Sequence, residues 1–140
     1  MNKLVLAIGA AALTMGSVSM GSMALAAKSD APDPAAVKGA AQLAKLLDGR
    51  TAGKPQSCIP AYDSNDLQVI DRTAIVYKTG KTVYVARADD PRSLDNDNIL
   101  IINRFGSQLC RQDVIRTVDR ISGFTNGAIF LGDFVPYTKG

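Results

Sequence analysis

A single helical pattern followed only by short β-type runs is the feature that most constrains the fold of this chain. Apolar residues recur at three- and four-residue intervals along residues 34–48, which is the spacing of one helix face. Asp33 is a favourable capping residue, Pro34 fits the first helical position, and Gly49 follows the end. The sequence therefore predicts one helix at residues 34–48 that packs on a sheet.

From Ser57 onward the pattern changes to short runs rich in β-branched residues. Two of these runs flank Gly80 and predict a hairpin, across which Tyr77 and Tyr84 are expected to lie close together. The continuous apolar run at residues 99–102 is typical of a strand that is covered on both faces. Residues 122–127 are expected to form a turn.

These patterns define the predicted fold class. About six short strands after one helix indicate a mainly β (α+β) domain. We expect one N-terminal helix followed by a small antiparallel sheet curled into a barrel or roll.

The two cysteines, Cys58 and Cys110, are predicted to form a disulfide. Closing a loop of this length would stabilise the fold by about 4 kcal/mol in the chain-entropy model. A redox-active thiol pair is the alternative, but such pairs usually have Cys-x-x-Cys spacing, which this chain lacks.

The first residues have the pattern of a secretory leader. Lys3 precedes an apolar stretch at residues 4–13, and Ala-Leu-Ala at 24–26 has the small-x-small form of a cleavage site. A retained membrane anchor is the alternative, but Gly and Ser are frequent in residues 16–22. The predicted organisation is a signal peptide at 1–27, a flexible tether at 28–33, and one disulfide-stapled, β-rich domain at 34–140 with its leading helix at 34–48.

The charge of the predicted mature chain is nearly balanced. Without Lys3, fifteen Lys and Arg face thirteen Asp, which gives a net charge of +2. The arginines between residues 104 and 120 are interrupted by Asp113 and Asp119. Nucleic-acid binding would need a one-sided basic surface, so no nucleic-acid partner is predicted.

The absence of histidine excludes several chemistries. Ser-His-Asp and Cys-His nucleophiles need an imidazole, and zinc sites lose their commonest nitrogen ligand. The acidic segment at residues 89–98 has the oxygen density of a calcium loop, but the chain has no Glu to close an EF-hand. We therefore predict no metal and no cofactor. Carboxylate pairs, a reactive Lys or a reactive thiol remain chemically available.

Several segments together carry a family resemblance. They are GRTAGKPQSCI at 49–59, VID at 69–71, IVY at 75–77, LCRQD at 109–113 and LGDF at 131–134. In these segments the chain resembles a family of short exported Gram-negative bacterial proteins that carry a domain of unknown function. The resemblance implies a periplasmic or secreted location and a disulfide, and it implies no activity.

The functional hypothesis is a non-catalytic periplasmic or envelope binding or interaction module. Its partner would be an envelope protein or a small ligand, and no stable membrane anchor is expected after cleavage. Candidate surface-binding residues are Arg111 and Asp113, from an Arg-Gln-Asp segment, together with Asp133. The alternative is a small aspartate-based hydrolase that uses Asp113, Asp119 or Asp133 as acid and base.

Overall fold

The computed structural model describes residues 31–104 and 106–140. The predicted signal peptide, and the tether up to residue 30, lie outside the described residues. The described chain is mainly β with one helix. The elements are α1 (Pro34–Leu47), β1 (Arg50–Ala52), β2 (Cys58–Pro60), β3 (Leu67–Ile70), β4 (Ala74–Thr79), β5 (Thr82–Ala86), β6 (Asn98–Asn103), β7 (Gln108–Cys110), β8 (Val114–Asp119), β9 (Thr125–Ile129) and β10 (Val135–Lys139), with short 3-10 turns at Ser64–Asp66 and Pro91–Ser93.

The predicted helix is confirmed, with both of its terminal signals. The carboxylate of Asp33 accepts a hydrogen bond from the N–H of Ala35 at 2.9 Å, so the last residue of the predicted tether is the helix cap. Pro34 is the first helical residue, and Gly49 beyond the end has a φ of +66°. The helix ends at Leu47, one residue before the predicted end.

The strands form three antiparallel sheets. The largest has the order β1-β10-β5-β4-β3, a second pairs β2 with β7, and the third has the order β6-β8-β9. Every strand pair in these sheets is antiparallel. The pairings of the described residues close none of these sheets, so the predicted barrel or roll is not confirmed.

The five-stranded sheet is covered on both faces. On one face Leu43 of α1 packs with sheet residues, which are Ile70, Ala74, Val76, Val83 and Val85. The opposite face contributes Ile75 and Tyr77 to a larger core. That core also contains Ile59 of β2, Leu109 of β7, and Ile115 of β8. The main core therefore lies between the large sheet and the two smaller ones.

The helix approaches the β3–β4 turn so closely that only glycine fits at the contact. A Cβ placed on Gly39 would overlap with the Oγ1 of Thr73 and with the backbone carbonyl of Asp71. The Oγ1 of Thr73 already donates a hydrogen bond to that carbonyl at 2.8 Å. Between them Arg72 has a φ of +53°, and its N–H donates to the carbonyl of Leu94 at 3.0 Å. The turn is therefore fixed by its close contact with α1, by its internal hydrogen bond and by its hydrogen bond to Leu94.

The predicted β4–β5 hairpin is confirmed. Thr79 pairs with Thr82 across a two-residue loop, and Gly80 in that loop has a φ of +54°. Tyr77 and Tyr84 are direct cross-strand partners, as expected from the sequence.

The prediction that residues 99–102 are covered on both faces is wrong. Ile99 and Ile101 of β6 are each 45% exposed, whereas Leu100 and Ile102 pack against the main core. The strand alternates because, among the described residues, only one face of β6 packs on the core.

Three strand assignments also differ from the sequence patterns. The predicted turn at residues 122–127 is too long, because β9 already begins at Thr125. The strands β1 and β2 were not predicted, since each has three residues. Their partners, β10 and β7, lie far along the chain, so no local pattern indicates the pairing.

The predicted disulfide is confirmed. Cys58 and Cys110 are cross-strand partners in the β2–β7 pair, and their sulfur atoms lie 2.03 Å apart. The bond closes a sequence separation of 52 residues. It therefore ties the second of the ten described strands to the seventh.

Candidate functional site

Two of the three predicted surface-binding residues lie together. Arg111 follows β7 and Asp133 precedes β10, and the Nη1 of Arg111 donates to the Oδ1 of Asp133 at 3.1 Å. Their side chains are 55% and 41% exposed. An exposed pair of this kind typically contributes at most about 1 kcal/mol to stability. The pair is a surface contact between two loops.

The third residue, Asp113, closes the turn between β7 and β8. Its Oδ2 accepts a hydrogen bond from the N–H of Cys110 at 2.7 Å, and its own N–H donates to the carbonyl of Cys110 at 3.0 Å. These bonds fix the loop that follows the disulfide-bonded cysteine. The carboxylate of Asp113 therefore has a local structural role.

Asp119 has a similar role in the β8–β9 turn. Its Oδ1 accepts from the N–H and the hydroxyl of Ser122, at 2.6 and 2.8 Å, and from the N–H of Ile121 at 3.1 Å. Because the amide of Ser122 stabilises the charged form, the pKa of Asp119 is lowered. A general acid needs the opposite shift.

The acidic segment at residues 89–98 is also organised by local bonds. The side chain of Arg92 donates to Asp90 and lowers the pKa of that carboxyl, and the N–H of Arg92 donates to the same group. The Oδ1 of Asp95 accepts from the N–H of Asp97 at 2.9 Å. Among the described residues, no three Cys or Asp side chains are arranged as metal ligands would be.

The arginines between residues 104 and 120 do not form one basic cluster, because they lie in different surroundings. Arg116 is exposed on the outer face of β8, and Arg120 donates to the carbonyl of Asp97 at 3.2 Å. Arg111 pairs with Asp133, whereas Arg104 lines a partly open cavity that has many apolar residues.

That cavity is the feature of the described chain most suited to a small ligand. It has a volume of about 390 Å³ and lies where the β3 edge of the five-stranded sheet faces the β6 edge of the three-stranded sheet. Its wall is apolar and comprises Ala61, Leu67, Val69, Tyr77, Leu100, Ile102 and Leu109. Small-molecule sites are typically concave, mostly apolar and about 300–1,000 Å³ in volume.

Three polar residues complete the lining, namely Asp63, Ser64 and Arg104. The guanidinium of Arg104 donates from Nη1 to the backbone carbonyl of Ala61. The hydroxyl oxygen of Tyr77 accepts from the N–H of Asp63 at 3.3 Å. The cavity thus combines an apolar wall with a few polar groups at fixed positions.

Strand alternation explains how the wall is built. Leu67 and Val69 are two residues apart on β3, and Leu100 and Ile102 are two residues apart on β6, so each pair projects from one face of its strand. Leu109 joins them from β7, directly before the disulfide-bonded Cys110.

Sequence reasoning missed this cavity. Its lining comes from separate parts of the chain between residues 61 and 109, so no local motif marks it. The one available signal was Arg104, a cation one residue after the apolar run at residues 99–102, and it was grouped with the other arginines between residues 104 and 120.

A second depression, of about 470 Å³, is polar. It is lined by Asp95, Asp97, Asn98, Asp119, Arg120, Ile121 and Asn126. The carboxylates of Asp95 and Asp119 already accept N–H groups of their own turns. This depression is therefore a weaker candidate for a ligand site.

Comparisons of the chain with protein-family models, with curated proteins and with solved structures find no match. Among the described residues, α1 lacks the length and apolar character that a helix needs to cross a membrane.

Proposed function

We propose that this protein is an exported, non-catalytic binding module that holds one small, largely apolar ligand. The observation that carries the proposal is the cavity between β3 and β6, with its seven apolar residues and its polar groups. Burial of apolar ligand surface would drive binding, at roughly 25 cal/mol per Å² removed from water. The polar residues would orient the ligand.

The disulfide supports the proposal because it fixes one wall of the cavity. Leu109 precedes Cys110 and pairs with Ile59, the residue after Cys58. Ala61 follows β2, and its N–H donates to the carbonyl of Ser107 at 2.8 Å. Two lining residues are therefore adjacent to a covalently closed strand pair. A preformed site loses less conformational entropy on binding.

The proposed location is the periplasm or the extracellular space of a Gram-negative bacterium. It is supported by the leader pattern at residues 1–27 and by the resemblance to short exported proteins of unknown function. The disulfide agrees with an oxidising compartment. The predicted barrel or roll is not needed for this proposal, since the cavity lies between separate sheets.

The alternative, a small aspartate-based hydrolase, has less support in the described residues. Asp113 and Asp119 accept N–H groups of their own turns, and Asp133 is paired with Arg111. None of these carboxylates lines the apolar cavity.

A neutral apolar dye tests the binding function. We expect the fluorescence of N-phenyl-1-naphthylamine to rise on titration with the protein, and Leu100→Trp to reduce the rise because the larger indole would occupy part of the cavity. The matched control is Ile101→Trp, at the next position of β6 but on the exposed face.

The unmodified chain contains no tryptophan, so the fluorescence of each variant shows whether its introduced indole is buried or exposed. The indole of Leu100→Trp should emit at shorter wavelength than that of Ile101→Trp, because it is less exposed to water. If Leu100→Trp carries a buried indole and still binds the dye like the unmodified protein, the cavity is not the binding site.

A further inference from the structure

We propose that the ligand of this cavity is a single-chain amphiphile with a carboxylate head, and that Arg104 binds the head. This inference rests on the proposed binding function and adds the chemical class of the ligand. Its basis is the position of one half-buried cation beside the seven apolar residues of the described lining.

Arg104 is held in place without having its charge neutralised. Its Nη1 donates to the backbone carbonyl of Ala61, which is a neutral acceptor. The ion pairs of the described residues are Arg72–Asp33, Arg92–Asp90 and Arg111–Asp133, and Arg104 belongs to none of them. A guanidinium has five N–H donors, so others remain for a ligand. A carboxylate can accept two of them at once.

Asp63 is the other charged residue of the lining, and its carboxylate has a local partner. Its Oδ1 accepts the N–H of Asn65 at 2.9 Å and caps the 3-10 turn at Ser64–Asp66. The residue is exposed, so water screens its charge more than that of the half-buried Arg104. We therefore assign the head-group preference to Arg104.

The volume of the cavity suits a single short chain. At about 30 Å³ for a group the size of a water molecule, 390 Å³ accommodates about thirteen such groups. A carboxylate and a chain of about ten carbons fit this space. Among the described lining residues Arg104 is the one cation, and the seven apolar residues are available to contact the chain.

Two amphiphiles of equal chain length and opposite charge test the assignment. Decanoate and decyltrimethylammonium are titrated by calorimetry into the intact protein, below their micelle-forming concentrations. We expect decanoate to bind more tightly. Arg104→Gln, which keeps an N–H donor for the carbonyl of Ala61, should weaken decanoate binding by about tenfold, since charge-assisted hydrogen bonds are roughly twice as strong as neutral ones.

Arg116→Gln is the matched control, because it removes an exposed cation from the outer face of β8. It should leave decanoate binding unchanged. The neutral dye should bind Arg116→Gln as it binds the unmodified protein, and circular dichroism should show that both variants are folded.

The outcomes separate this inference from the proposed function. If the dye binds in the cavity but decyltrimethylammonium binds as well as decanoate, or if Arg104→Gln has no effect on decanoate, the carboxylate assignment is wrong and the binding function stands. If neither the dye nor either amphiphile binds, both proposals are wrong.

Discussion

The contact between α1 and the β3–β4 turn predicts that Gly39→Ala destabilises the protein. In an exposed helix this change would stabilise by about 1 kcal/mol, because alanine has the higher helix propensity. Here the added methyl group would overlap with the carbonyl of Asp71 and with the Oγ1 of Thr73. The threonine side chain can rotate away, but it then loses its 2.8 Å hydrogen bond to Asp71. The carbonyl belongs to the backbone and cannot move alone.

The magnitude follows from these opposing effects. Relieving the overlap requires α1 to retreat by roughly 1 Å, which weakens the packing of Leu43 on the sheet. Overpacking a close contact costs up to about 3 kcal/mol. After subtracting a propensity gain of about 1 kcal/mol, the net loss is about 2 kcal/mol. For a domain of this size that corresponds to a Tm lower by about 8 °C.

Urea and thermal unfolding, followed by circular dichroism, measure the effect. The matched control is Ala40→Gly, at the next position of α1 and exposed. It should cost about 0.5–1 kcal/mol through propensity alone, since it removes no packing contact. If Gly39→Ala proves as stable as the unmodified protein, or more stable, then α1 does not pack on this turn as described.

Two further predictions concern the disulfide and the β8–β9 turn. Replacing both Cys58 and Cys110 by Ser should lower the free energy of unfolding in urea by about 4 kcal/mol, because the unfolded chain loses its 52-residue constraint; a loss under about 1 kcal/mol would contradict the entropic argument. The pKa of Asp119 is lower in the folded protein than in the unfolded chain, where it is about 3.9. The charged carboxylate therefore stabilises the fold fully at pH values above the unfolded-state pKa. This stabilisation is lost as the pH falls through the folded-state pKa. An NMR titration of the Asp119 carboxyl should give a midpoint below 3.9, and Asp119→Asn should remove this part of the pH dependence of stability; a midpoint at or above 3.9 would refute the assignment.

Features set by neighbouring residues were predictable from the sequence. The helix follows from the capping Asp33 and from Pro34, and the β4–β5 hairpin follows from Gly80. In each case the determining groups lie within a few positions of one another. The pairing of Cys58 with Cys110 was predictable for a different reason, namely that the chain contains no other cysteine.

Features set by distant neighbours were not predictable. The apolar run at residues 99–102 does not reveal whether its outer side is covered, because that depends on the elements around β6. The contact of Arg111 with Asp133 joins residues 22 positions apart, and their loops could equally have diverged. The cavity was the least predictable feature, because several distant segments form its lining. Only in the folded chain does Arg104 lie beside apolar residues from other strands.

The edge position of β6 has a consequence for the behaviour of concentrated or partly unfolded protein. Asn98–Asn103 is a six-residue segment, Asn-Ile-Leu-Ile-Ile-Asn, without a charge, a proline or a glycine. In the described part of the chain it pairs with β8 on one side only, so a row of backbone N–H and carbonyl groups is left at the sheet edge. Such segments add strands from other copies and form tightly packed aggregates. Arg116, the cross-strand partner of Ile101, places an exposed charge beside this segment that opposes stacking of identical chains.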